Sequence, residues 1–294
     1  TVRVFFAGLL FPLTGIITAA FLTRRLGPEG YGLLVLSATI VGWIELSLNS
    51  FFARTTIKFV AEAEDWRSIG VTVSRLQFLA GAGGALLLAA LAFPLAGALD
   101  EPILGSYLCL YSLHIPLTGL AQGYQNILIG TGKFKQKAVG AAWQWIARLV
   151  LILVLVELGF SIQGAILGSI GASLVELAIS RRYVGIPFFG HAILPTQAFW
   201  NVGLVLFLSG LSLNSYASLG LVMLKAYGGT AQEVGIYGAA QNLSILPGIF
   251  SMALAPLLFS TLSRMQSAGE EDEAKEIGRV TMRMVLGLLP IAAM

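Results

Sequence analysis

The sequence predicts an all-α, polytopic membrane helical bundle, and three observations carry that prediction. Hydrophobic residues make up 56% of the 294-residue chain and charged residues 11%, where a soluble domain carries about a quarter charged. The apolar residues gather in continuous runs of about 20, the length that crosses a bilayer as a helix. Lysine and arginine fall almost entirely in alternate connections between those runs. A mean hydropathy of +0.83 is more than one soluble core of this size can hide. This composition excludes a soluble enzyme, a disordered chain and a nucleic-acid binder. Unbroken apolar runs also exclude an outer-membrane barrel, whose strands alternate in polarity. A single cysteine, Cys109, rules out a disulfide framework, and two histidines, His114 and His191, give no basis for a zinc site or another cofactor.

Eight segments qualify as spans. Val4–Leu22 carries Pro12 and Gly15, which let a helix bend. One charge, Arg3, precedes it, and its apolar run exceeds a secretory signal core, so it reads as a span and not a leader. Pro28 and its flanking glycines end that helix, and Leu33–Ala53 follows. Arg54–Ile69 reads as a surface helix, with Phe59, Ala63 and Trp66 on one stripe and Lys58, Glu62 and Asp65 off it. Leu76–Leu99 and Ile103–Ile129 contain Pro94 and Pro116. Ala138–Leu158 and Ile162–Ser180 come next, then Phe199–Leu224 and Ile236–Ser260. Thr261–Val280, with its acidic run Glu270 to Glu273, reads as a solvated loop. A ninth run starts near Met282 and stops at Met294, too short to span. With Thr1 where a methionine would stand, the chain reads as a fragment of a longer protein.

Placing the N-terminus in the cytoplasm puts fourteen of the eighteen lysines and arginines on the inner side. Arg24, Arg25 and Lys225 fall outside, and Arg148 lies within a span. That split is a strong positive-inside signal. An internal repeat accompanies it. Pro28-Glu29-Gly30-Tyr31-Gly32-Leu33-Leu34 and Ala231-Gln232-Glu233-Val234-Gly235-Ile236-Tyr237 both lead from an odd-numbered span into an even-numbered one. Gly32 and Gly235 are 203 residues apart, an interval holding six spans. The expected architecture is two parallel six-helix lobes related by an axis along the membrane normal. The N-terminal lobe occupies 1–182. The C-terminal lobe, 183–294, is truncated to two full helices and part of a third.

Three short stretches resemble those of a known family: Leu26-Gly27-Pro28-Glu29-Gly30-Tyr31-Gly32, Gly130-Thr131-Gly132-Lys133-Phe134 and Glu233-Val234-Gly235-Ile236-Tyr237. They are similar to bacterial polysaccharide-transport proteins of the O-antigen flippase type, within the multidrug/oligosaccharidyl-lipid/polysaccharide exporter superfamily. In spacing the resemblance covers the whole chain. An aspartate frequent in that family near the end of the seventh span has no counterpart here, where the sequence is Ser218-Leu219-Gly220-Leu221. The resemblance implies a V-shaped pair of bundles in the bacterial cytoplasmic (inner) membrane. It implies alternating-access transport of a polyprenyl-pyrophosphate-linked oligosaccharide from inner to outer leaflet, no catalysis, and polysaccharide assembly enzymes as partners beside the lipid bilayer itself.

Ionisable groups inside spans are costly and each needs a reason. Arg148 lies ~15 Å from the inner end of the fifth span at 1.5 Å per residue, near the middle of a ~30 Å core. It must face a cavity or a partner, and its guanidinium can grip a pyrophosphate through aligned donors. Glu45, ~12 Å deep in the second span, offers a rival reading as its ion-pair partner, and a third as a coupling site for a proton or cation. Glu176 reads as interfacial. His114, Thr118, Gln122 and Gln125 share one face of the fourth span, with Asn126 beside them. They suit sugar hydroxyls or interhelical bonding equally. In the seventh span Ser209, Ser212 and Tyr216 share a face, with Asn214 and Ser215 nearby, and read as packing or as an opposite cavity wall. Arg24 and Arg25 suit interfacial snorkelling or a phosphate contact during release.

The candidate substrate contacts are therefore Arg148, His114, Gln122, Gln125, Arg24 and Arg25, and the coupling candidate is Glu45. A cation-coupled multidrug exporter would want cavity acids, of which only Glu45 is well placed. A multispan glycosyltransferase would need carboxylates or a metal at the membrane edge, where the chain offers only Asp100 and Glu101.

Overall fold

A computed structural model describes residues 2–187, 197–244 and 279. The helices in order are α1 (Val2–Glu62), α2 (Trp66–Ala98), α3 (Pro102–Ser112), α4 (His114–Gly130) and α5 (Phe134–Leu155), then a π-helical turn (Val156–Phe160), α6 (Ser161–Val184) and α7 (Gln197–Ala226). Residues 231–244 form α8. The chain to Gly238 belongs to one compact unit, and a second begins at Ala239. The eighth span beyond residue 244, the acidic run, the ninth run and His191 lie outside the described residues.

Among the described residues four helical stretches are long and apolar enough to cross a membrane: Pro12–Glu62, Trp66–Ala98, Pro102–Gly130 and Phe134–Val184. A fifth is Phe199–Tyr216 with Leu219–Ala226, bent by 52°. The protein is an all-α, multi-spanning membrane helical bundle. Two of the stretches are 51 residues long, or ~76 Å at 1.5 Å per residue, more than twice a ~30 Å hydrocarbon core. Each is broken by a glycine at positive φ, Gly27 (φ 69°) in the first third of one and Gly159 (φ 95°) at the middle of the other, where a side chain would be strained. These breaks account for the paired spans read from the sequence.

After the second break the chain folds back. Gly164, Gly168 and Gly171 of α6 lie against Leu155, Ile152 and Leu151 of α5, a reversed order that makes the pair antiparallel. A Cβ on Gly168 would come 2.8 Å from the Ile152 backbone nitrogen, so only glycine allows this approach. Gly168→Val is expected to lower the unfolding temperature in detergent by many degrees. Gly83→Val, whose Cβ would meet nothing within 4 Å, should leave it nearly unchanged.

The surface helix expected over Arg54–Ile69 does not form. Residues 54–62 continue α1 past the apolar run, and Trp66–Ile69 already belong to α2, with Asp65 capping the Ser68 amide. The amphipathic stripe is satisfied by tertiary packing instead. Phe59 packs on Phe199 with ring centroids 5.5 Å apart, and Trp66 rests on a core of Val60, Val71, Leu120, Tyr124, Ile127, Leu128, Val184 and Ile186. The fourth span is divided at Leu113 into α3 and α4. Pro116 cannot donate to the Ser112 carbonyl and its ring crowds that oxygen.

Helix ends near the basic connections carry glycine caps. Gly132 (φ 72°) sits where Lys133 N–H reaches Leu128 O at 2.7 Å, and Gly185 (φ 66°) donates to Arg181 O; both satisfy carbonyls orphaned at a helix end. On the opposite face α8 starts in a reciprocal capping box: Thr230 N–H donates to Glu233 Oε2 at 2.8 Å, and Glu233 N–H donates to Thr230 Oγ1 at 3.2 Å. The Thr230 amide holds the Glu233 carboxyl below its ordinary range. A carboxyl depressed in the fold strengthens that end above its unfolded value and loses the contribution as pH falls through the folded one. Protection of the Thr230 amide, the slowing of its exchange relative to that of an unfolded chain at the same pH, should therefore fall on acidification, and Glu233→Gln should flatten the response.

Outward-facing Leu79, Leu86, Leu87 and Phe93 on α2 are what a lipid-facing helix presents. On its other side α7 packs along α1, where Phe51 meets both Phe199 and Trp200 and Trp43 Nε1–H donates to Ser215 Oγ at 3.0 Å.

Candidate functional site

The helices bring a polar cluster together at mid-depth. Glu45 of α1 meets His114, the first residue of α4: His114 Nδ1 lies 2.6 Å from Glu45 Oε1, with side chains only 13% and 17% exposed. The two groups share one proton across this contact, as a carboxyl and an imidazole nitrogen at hydrogen-bond distance do. His114 Nε2 faces Ser173 Oγ of α6 at 2.9 Å, and Thr118 Oγ1 lies 3.2 Å from the same hydroxyl. Tyr111 of α3 stands edge-on to the His114 ring, 5.3 Å between centroids. Its hydroxyl lies near Ser169 and within electrostatic reach of both Glu45 and Arg148. The break at Leu113 places Tyr111 and His114 side by side, and serines one turn apart on α6 receive them.

Arg148 sits at the edge of this cluster, and here the structure corrects the sequence. The Arg148–Glu45 ion pair does not form, because His114 occupies Glu45. Among the described residues no carboxylate forms an ion pair with Arg148. Its guanidinium lies over the Trp145 ring, one turn back on the same helix, 5.7 Å from the centroid, and the residue is partly exposed. Two charges of similar depth thus have opposite fates: the acid is compensated and the base is open.

The polar face of α4 divides. His114 and Thr118 bond into the cluster. Gln122 is partly exposed. Gln125 is 3% exposed and donates through Nε2 to Ser180 Oγ at 2.9 Å, so it joins helices and is not offered to a ligand in this conformation. Asn126 is likewise buried. Glu176, read as interfacial from its depth, is enclosed by the protein at 2% exposure beside Gln125, because α4 and α5 cover that face of α6. In α7, Ser209, Ser212 and Tyr216 are exposed, while Ser215 serves the α1 contact. Arg24 is exposed. Arg25 Nη2 bonds both oxygens of Glu157 at 2.5 and 2.8 Å, but both side chains are about half exposed, so the pair is worth no more than ~1 kcal/mol.

Sequence reasoning missed Tyr111, Ser169 and Ser173. The serines' i, i+4 spacing within an apolar span was the available signal. Ser173, His114 and Glu45 also stand in the order of a hydrolytic triad. Ser173 is fully enclosed (0% exposed) and its hydroxyl also reaches the Ser169 carbonyl, so no substrate carbonyl can reach it. Among the described residues no three metal-binding side chains cluster.

Among the described residues, then, the chain is a multi-spanning membrane helical bundle that holds a partnered acid, Glu45, and a base without an ion-pair partner, Arg148. The chain belongs to the polysaccharide biosynthesis protein family, whose profile matches residues 4–266. No curated protein matches the chain. Among solved structures it is similar to an inward-facing multidrug resistance MATE family transporter of the MOP superfamily, at 15% identity over 97% of this chain and 69% of that one, with a TM-score of 0.71. It is also similar to the MATE multidrug transporter DinF-BH (16% identity, 98% and 67% covered, TM-score 0.68). A mutant of the Vibrio cholerae MATE transporter VcmN gives 20% identity, 98% and 69% covered, and a TM-score of 0.63.

Proposed function

We propose that this chain works as a flippase of the bacterial cytoplasmic membrane, moving a polyprenyl-pyrophosphate-linked oligosaccharide from inner to outer leaflet by alternating access. The observation that carries this reading is Arg148: a permanent cation at mid-depth that no described carboxylate neutralises. A diphosphate headgroup is the complementary charge, held through aligned N–H donors, while the polyprenyl tail stays in lipid. With the basic connections in the cytoplasm, a potential negative inside favours outward movement of an anion by ~2.3 kcal/mol per charge per 100 mV. The expected two lobes, 1–182 and 183–294, draw support from the repeat and from the contact between its two copies described below. Ion coupling, on this reading, falls to Glu45, where an incoming proton or cation must compete with His114.

The second reading is a cation-coupled multidrug exporter, favoured by the fold likeness to multidrug transporters. It asks the cavity for a free acid, and Glu45 is engaged while Arg148 repels cations. Reconstituted vesicles decide between the two. Translocation of a polyprenyl-pyrophosphate-linked saccharide, without efflux of lipophilic cationic dyes, is the expected result; dye efflux without saccharide movement reverses the assignment.

A further inference from the structure

We infer that Gly32 and Gly235, together with the Lys225–Glu101 ion pair at the same end of the helices, form a latch that closes the outer face of the transporter and must part each time the site opens outward. The inference rests on the transporter reading and membrane orientation proposed above.

The contact has a symmetry that follows from the repeat. A Cβ on Gly32 would strike the Ala231 carbonyl and come 2.8 Å from the Gly235 nitrogen. A Cβ on Gly235 would strike the Pro28 carbonyl and come 3.0 Å from the Gly32 nitrogen. Pro28 and Ala231 are separated by the same 203 residues as Gly32 and Gly235, so each contact is the image of the other. One turn further in, a Cβ on Gly238 would lie 2.7 Å from Val35 Cγ1 and 3.4 Å from Val35 Cβ, and Val35 and Gly238 are also 203 apart. Equivalent positions that touch each other lie beside a two-fold axis. On both helices the stripe runs i, i+4, i+7, one face of a helix.

Backbone packed on backbone leaves no passage between α1 and α8 at this point. The starts of both helices are fixed there, one by left-handed Gly27 ahead of Pro28, the other by the Thr230–Glu233 capping box. At the same end of the helices, a few residues before α8, Lys225 Nζ at the end of α7 meets Glu101 Oε1 of the α2–α3 connection at 2.9 Å, with Lys225 only 7% exposed. A headgroup released from Arg148 toward this face has to part these elements. Parting suits the chemistry: glycine surfaces leave no polar side chain stranded, and both ions regain water at the membrane surface. The polysaccharide-transport motif residues Gly32 and Gly235 thereby acquire a role beyond permitting turns.

The test uses the intact protein in membrane vesicles with Cys109→Ser. Val35→Cys with Gly238→Cys places the two Cβ atoms near the ~3.5–4.5 Å that a disulfide needs. Oxidation should form the bond, cut saccharide transport at least tenfold, and reduction should restore it. Failure to form the bond, or full transport by the bonded protein, overturns the latch. A second measurement needs no substrate. In a Val35→Cys protein, Lys225→Met should raise labelling by an impermeant maleimide from the outer side severalfold, and unchanged labelling counts against the latch. Should the unmodified protein move no saccharide while Lys225→Met still raises labelling, the substrate assignment fails and the latch stands.

Discussion

Replacing Glu45 with leucine should cost about 1–3 kcal/mol of stability, the penalty for leaving a buried hydrogen-bonding group without its partner. The contact qualifies because it is short, largely enclosed and roughly 12 Å inside the bilayer. The loss leaves His114 facing an apolar replacement, and disturbs the Ser173 and Thr118 hydroxyls that the imidazole orders. His114→Leu should cost a similar amount, since it strands the carboxylate. Combining the two removes both polar partners, and the double variant should lose far less than the sum. The size of that non-additivity separates two accounts. Neutral interhelical hydrogen bonds in membranes couple by about 0.6–2 kcal/mol, so a coupling clearly above that range marks a charged pair. A double-mutant cycle measured by reversible unfolding in mixed micelles supplies the number. Strict additivity would show that the 2.6 Å contact contributes nothing, and with it the claim that Glu45 is compensated would go.

The cluster shows which parts of the molecule can be read from sequence and which cannot. Relative depth is legible because rise per residue is fixed, and Glu45 and Arg148, read at similar depths, both come within electrostatic reach of Tyr111. Azimuth and helix neighbourhood are not fixed by any local rule. His114 opens a helix whose start is set by the Pro116 break, and that start points its ring at Glu45 before Arg148 can compete. The same limit explains Glu176, which lies near enough to the end of its apolar run to look interfacial, yet α4 and α5 close over it. Span existence was legible for a different reason: lipid demands apolar runs, and the turn glycines Gly27 and Gly159 leave a break in each long stretch. Residues 54–69 misled because a charged, amphipathic stripe describes equally a helix lying on the membrane and one leaving it toward a partner such as Phe199. Gly32 and Gly235 were visible as a repeat, but only the coordinates reveal that the two copies touch.

Arg148→Gln should abolish most transport while leaving the protein folded. The guanidinium has no described ion-pair partner, and its stacking on Trp145 is worth about 0.5–1 kcal/mol at a partly exposed site, so the unfolding midpoint should move little. Against an anionic headgroup the loss is larger. A hydrogen bond to a charged group contributes about 1.5–3 kcal/mol, which converts to roughly 10- to 150-fold for each bond lost. Saccharide translocation should therefore fall by at least an order of magnitude at unchanged protein level. Arg148→Lys keeps the charge but not the planar fork, and its rate should lie between the two. Guanidinium stays protonated at every working pH, so the ratio of wild-type to Arg148→Gln rates should not vary between pH 6 and pH 8, as it would if Arg148 acted through a titrating neighbour. The rival exporter of cationic drugs predicts the opposite sign, because removing a positive charge from the cavity relieves repulsion and should raise cation efflux. Equal saccharide transport by the wild type and Arg148→Gln would remove the charge argument from the flippase reading altogether.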